Sequence, residues 1–154
     1  MYSTNKRIYT SEHKENIYRK KIYLSYIMNS WYKKLNKAPW SPPNYVFGIV
    51  WPILYVFMFI SIILVYFDKQ CFPYCSPITL FLLQLILNLS WTTIFFKYRQ
   101  LYMALIAIIS IIILTVYTIL AFYPINKIAS YLLIPYTLWL CLAFSLNMYI
   151  IFYN

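Results

Sequence analysis

Three short spacings hold the chemistry this chain can offer. Gly48, Trp51 and Tyr55 stand at i, i+3 and i+7; Gln84, Asn88, Trp91 and Phe95 at i, i+4, i+7 and i+11. Tyr136, Trp139, Ala143 and Asn147 repeat the pattern at i, i+3, i+7 and i+11. On a helix each set falls on a single face. Indole and phenol rings provide flat surfaces for stacking, amides provide donors and acceptors, and Gly48 and Ala143 leave gaps beside the rings. Such a face suits a large, flat, mostly apolar molecule. Taken singly, Gln84, Asn88 and Asn147 are better read as hydrogen-bond glue between helices, worth roughly 0.6–2 kcal/mol each. Three such stripes together, with Trp51, Trp91 and Trp139, point to one shared ligand cavity.

Other chemistries find little to work with. The acidic residues are Glu12, Glu15 and Asp68, and the only histidine is His13 in a polar tail. No paired carboxylates, histidine base or Gly-rich phosphate loop is present, so no catalytic residue is assigned and the chain is expected not to be an enzyme. No metal set is expected either, because Cys71, Cys75 and Cys141 lack the further ligands a zinc site needs. Cys71 and Cys75 form C-x3-C in a short loop. A disulfide there suits a loop that faces an oxidising space; two unrelated thiols is the preferred reading.

The elements that position the stripes are membrane spans. The chain has 154 residues, enough for one domain, and is 63% hydrophobic with only 10% charged residues. That composition lies far outside the soluble globular norm and marks an integral membrane protein. The expected fold is an all-α membrane bundle with four transmembrane helices over 46–67, 77–96, 101–122 and 128–153, joined by short loops. Pro135 should kink the last helix and free the carbonyl of Tyr131, and Pro52 should do the same to Gly48. The Leu101–Phe122 span offers little that is polar beyond Ser110, Thr115 and Thr118, so its part is mainly structural. Residues 1–30 read as a basic polar tail with a short interfacial segment, and 31–154 as the membrane domain.

Charge is concentrated as well as positive. Nine of the 13 Lys and Arg lie in residues 6–37, with only Lys69, Lys97, Arg99 and Lys127 beyond. With so lipid-like a remainder, anionic membrane lipids rather than nucleic acid are the expected partner. The side holding residues 1–45 and 97–100 carries eleven of these positives, and the positive-inside rule puts it, with both termini, in the cytoplasm.

The stretch Ala38–Tyr55 ties these features together: two Trp, two Tyr, four Pro and the only Gly of the protein fall within it. With this stretch in view, the chain resembles the translocator proteins, also called tryptophan-rich sensory proteins or peripheral-type benzodiazepine receptors. The motifs are Trp31-Tyr32, then Pro39-Trp40-Ser41-Pro42-Pro43; Val46–Trp51 with Tyr55; Leu87-Asn88 with Trp91; Ile94-Phe95-Phe96 with Gln100; and Leu132–Tyr136 through Trp139, Ala143, Leu146 and Asn147. The resemblance implies a five-helix bundle, often a homodimer, in a bacterial or mitochondrial outer membrane. It also implies a cavity for porphyrins and synthetic aromatic ligands, used in transport or sensing, with no cofactor of its own. The family's pocket positions fall on Trp51, Asn88, Trp91, Trp139, Ala143 and Asn147, and the loop carrying Trp40 would be part of the lid. An alternative implied by the family is light-dependent porphyrin breakdown through these tryptophans. A second is a truncated, scaffolding or non-functional member.

Three departures from the family pattern stand out. The family's first helix should precede Trp31, but residues 1–24 carry eight charges, so that helix is expected to be absent or degenerate. The sterol motif lacks its cation after Leu146 and Tyr149. Ala104-Leu105-Ile106-Ala107 lacks an Asp that the family often has at this point.

Overall fold

A computed structural model of the protein describes residues 31–32, 34–69, 71 and 75–154. Asn36–Asn154 forms one compact unit, separate from Met1–Leu35, and the site lies within the former. The expected tail and missing first helix fall on residues 1–30, outside the described residues.

Five helices build the unit: α1 Asn44–Tyr66, α2 Ser76–Thr92, α3 Leu101–Phe122, α4 Lys127–Leu132 and α5 Ile134–Tyr153. A π-helical turn, Thr93–Lys97, continues α2. Among the described residues, four stretches are long and apolar enough to cross a membrane: Asn44–Tyr66, Ser76–Lys97, Leu101–Phe122 and Lys127–Tyr153. These match the four expected spans to within two residues at each end. The chain is a multi-pass membrane protein.

Local sequence explains the boundaries. Pro42 and Pro43 cannot continue a helix backwards, and the amide of Val46 starts α1 by donating to the Pro43 carbonyl at 2.9 Å. Pro77 lies in the first turn of α2, where a missing N–H costs nothing. Asn126 caps α4, its side chain accepting from the Ala129 amide at 3.1 Å. Between α2 and α3 the chain reverses through Arg99 at φ 54, a left-handed conformation uncommon for a residue with a Cβ.

Two expectations need correcting. Pro52 lies inside α1 and has no N–H for the Gly48 carbonyl, as expected, but Pro135 does more than kink the last span. The helix stops at Leu133 (φ -86, ψ -13), and Pro135 lies in the first turn of a new helix. The reason is local: Pro135 has no N–H for the Tyr131 carbonyl, and its ring crowds that carbonyl. Cys71 and Cys75 are also not free thiols; they form a disulfide with a Cα–Cα distance of 4.9 Å. The Cys71 amide donates to the Asp68 carbonyl at 3.0 Å, in a turn just after α1.

The disulfide and the charge asymmetry then agree. The α1–α2 loop is at the end opposite the Lys97–Gln100 hairpin, the end the positive-inside rule assigns to the oxidising face. In cells expressing a Cys141→Ser variant, a membrane-impermeant reductant followed by an impermeant maleimide should label this loop without permeabilisation. Labelling only after permeabilisation would reverse the orientation.

Small polar residues hold the short helix α4 against its neighbours. Ser61 on α1 donates to the Ala129 carbonyl at 2.7 Å, and Ser130 donates to the Ile119 carbonyl on α3 at 2.9 Å. Ala129 and Ser130 are both buried, so the backbones come close there. α1 packs chiefly on α4, α2 on α3, and α3 on α5. The N-terminal half of α1 therefore reaches α2 and α5 through long side chains, and these form the site.

Candidate functional site

Trp51 from α1, Trp91 from α2 and Trp139 from α5 are half-buried and pack against one hydrophobic core that includes Leu54, Met58, Tyr136 and Leu140. All three thus border the same core. The rings of Trp51 and Tyr55 lie 5.7 Å apart, tilted by 30°. Phe47 meets Trp139 edge-on at 5.5 Å, joining α1 to α5. Trp91 stacks on Phe95 at 5.0 Å. Phe47 is a site residue the sequence reading missed, although it stands four residues before Trp51 and so shares its face.

Polar groups run across the same interior. Asn88 Nδ2 donates to the Tyr55 hydroxyl at 3.0 Å, so one of its N–H groups is spent between α2 and α1. Gln84 and Thr115 are hydrogen-bonded through Gln84 Oε1 and Thr115 Oγ1, giving α3 a share in the site that the sequence reading withheld. The Thr115 hydroxyl also lies 2.7 Å from the Ile111 carbonyl, and it has a single proton. Whichever way the Gln84 amide is turned, one of its polar atoms keeps no partner.

Several other buried polar atoms are also without partners. They are the indole nitrogens of Trp91 and Trp139, the Tyr136 hydroxyl, and both amide atoms of Asn147. Asn147 is 2% exposed and Tyr136 fully buried. An unsatisfied buried polar group costs about 1–3 kcal/mol, and the site holds several. Neither a metal nor a charge is offered: among the described residues no group of three His, Cys, Asp or Glu comes together.

The remaining expected residues lie at the margins. Ala143 is half-buried on α5 between Trp139 and Asn147. Gly48 is exposed, and a Cβ built there would meet nothing within 4 Å. Gly48→Ala should therefore leave the fold intact and stabilise α1 by about 0.5–1 kcal/mol through helix propensity, read as a rise in melting temperature in detergent. A drop would show that the gap is needed by the protein itself. Trp40 is 55% exposed and turned onto the last turns of α5. Its indole N–H donates to Ser145 Oγ at 3.4 Å and its ring meets Tyr149 edge-on at 5.4 Å. Asn36 fastens the start of this loop, its amide donating to Asn154 Oδ1 at 2.8 Å and its side chain to the Tyr153 carbonyl at 3.0 Å. The loop is strapped along α5.

Fold and site together define a multi-pass helical membrane protein with a tryptophan-lined interior. The profile of the TspO/MBR family matches residues 20–153, and the chain belongs to that family. It is 36% identical over 119 residues to the human Translocator protein, covering 76% of this chain and 70% of the relative. It is 36% identical over 129 residues to the Tryptophan-rich protein TspO of Chlorobaculum tepidum, covering 81% and 80%. To the Tryptophan-rich sensory protein of Cereibacter sphaeroides it is 30% identical over 119 residues, covering 77% and 73%. The family match begins ahead of Trp31, so residues 20–30 align with it too.

Proposed function

We propose that the protein binds a flat, mostly apolar aromatic ligand of the tetrapyrrole type between α1, α2 and α5, and that this binding serves transport or sensing. One observation carries the reading: the indole N–H groups of Trp91 and Trp139, whose rings meet Phe95 and Phe47, and the amide of Asn147 are buried without partners. Trp51 and Trp139 supply stacking area, and Asn147 orients the ligand's polar edge. The names of the relatives, a translocator and a sensory protein, are compatible with either use of a bound ligand. They name no enzyme. Membrane lipids surround the exposed apolar faces, and a homodimer accords with the family resemblance.

Titration of the protein in mild detergent with protoporphyrin IX, followed by tryptophan fluorescence, tests this. Saturable quenching at micromolar porphyrin is expected. Quenching that never saturates would mean that the porphyrin only partitions into the micelle, and would overturn the proposal. Illumination during the titration should bleach the porphyrin no faster than in protein-free micelles; faster bleaching that needs oxygen and Trp139 would make the protein an enzyme instead.

A further inference from the structure

We propose that the Cys71–Cys75 bond is a thiol–disulfide exchange site on the oxidising side of the membrane, with Cys75 as the sulfur that exchanges with small soluble thiols and disulfides and Cys71 as its buried partner. The two cysteines stand four residues apart, where α1 gives way to α2. They are unequal. Cys71 has no exposed surface and belongs to the same buried cluster as Val65, Ile78, Phe81 and Phe122. Cys75 is only half-buried and packs against that cluster.

Position adds to access. Cys75 immediately precedes α2, a helix of 17 residues with no acidic side chain in its first turn. The positive end of the helix dipole stabilises a thiolate on Cys75, whereas apolar packing disfavours one on Cys71. Reduced, the pair therefore reacts through Cys75. Its thiolate attacks one sulfur of a soluble disulfide, a mixed disulfide forms on Cys75, and the first thiolate leaves. Cys71 then gives its proton to water and attacks the Cys75 sulfur; the second thiolate leaves and the protein's own bond closes. Two electrons have passed to the soluble disulfide, which becomes two thiols. Excess soluble thiol runs the same steps backwards, entering at Cys75 because a sulfur without exposed surface offers no line of attack.

The fold does not need the bond closed. A disulfide restrains the unfolded chain more as the ring it closes grows, and this one closes over a separation of only four residues. As a thiol, Cys71 keeps its place in the cluster, where cysteine packs as a small hydrophobic residue. The helices on either side keep their own hold: Ser61 ties α1 to α4, and Phe81 on α2 stacks on Phe122 of α3. Opening the bond therefore unties the end of α1 from the start of α2 without unfolding either. The pair stays placed to close again, as an exchange site requires.

Two variants test the assignment, each also carrying Cys141→Ser to remove the exposed free thiol on α5. The full chain in mild detergent is reduced, desalted and given oxidised glutathione, and its mass is followed. Cys71→Ser should take up one glutathione, on Cys75. Cys75→Ser should react at least about tenfold more slowly, at Cys71, until sodium dodecyl sulfate breaks up the helix packing. With both cysteines present, the internal bond should re-form with no glutathione retained, and helical circular dichroism should be the same open and closed. Equal rates at the two cysteines, or a Cys75 that reacts only in dodecyl sulfate, would overturn the proposal. So would loss of helix on reduction, which would make the bond a structural staple.

Discussion

Trp139→Phe should lower the affinity for protoporphyrin IX about tenfold, whereas Trp40→Phe should leave it within about twofold. Both substitutions shorten a tryptophan by the same atoms, so composition alone gives no reason to separate them. Their surroundings do. Trp139 is half-buried against the common core, with an indole nitrogen that no protein atom satisfies. A ligand held there gains a hydrogen bond worth about 1 kcal/mol together with stacking area, and phenylalanine forfeits the first and part of the second. The fold itself loses little, because phenylalanine can keep the edge-on contact with Phe47. Trp40 uses its N–H on Ser145 and its ring on Tyr149, so its loss loosens the strap rather than the ligand. Equal losses in the two variants would place Trp40 at the ligand and contradict the arrangement described.

Phe122→Ala should be the most damaging single truncation, costing about 2–3 kcal/mol in a reversible unfolding titration in mixed micelles. Phe122 is fully buried where α3 ends. Its ring stacks on Phe81 of α2 at 6.0 Å, and its carbonyl accepts from the Ile125 and Asn126 amides that open the next turn. Phe→Ala in a water-soluble core costs about 3–5 kcal/mol, part of it transfer from water. In a bilayer the separated helix would meet lipid instead, so the packing part remains and the transfer part shrinks. Leu120→Ala, two residues away and 63% exposed toward lipid, should change stability by less than about 0.5 kcal/mol. Similar costs at the two positions would mean that α2 and α3 are not held by this contact.

The four spans were legible because an uncharged run of about twenty residues has few alternatives to a membrane helix. The stripes were legible for a related reason: helical spacing assigns Gln84, Asn88, Trp91, Trp139 and Asn147 to faces before any neighbour is known. Which face meets which is another matter. Thr115 looked like an ordinary hydroxyl on an aliphatic helix until α3 packed on α2 and put it against Gln84. Tyr136 stood in the right stripe but was not singled out, since only burial from all sides distinguishes it from the tyrosines facing lipid.

The sequence by itself determined membrane residence, the number and limits of these spans, the family and the amino acids of the aromatic faces. All of these follow from runs and periods along one chain, where neighbours are given by covalent order. Only the tertiary structure decided that Cys71 and Cys75 join, that Trp40 is tied to α5, and which polar atoms stay without partners. Those outcomes depend on where a turn directs the backbone and on which side chain from another helix comes within hydrogen-bonding distance, about 3 Å, and neither is encoded in spacing along a single element.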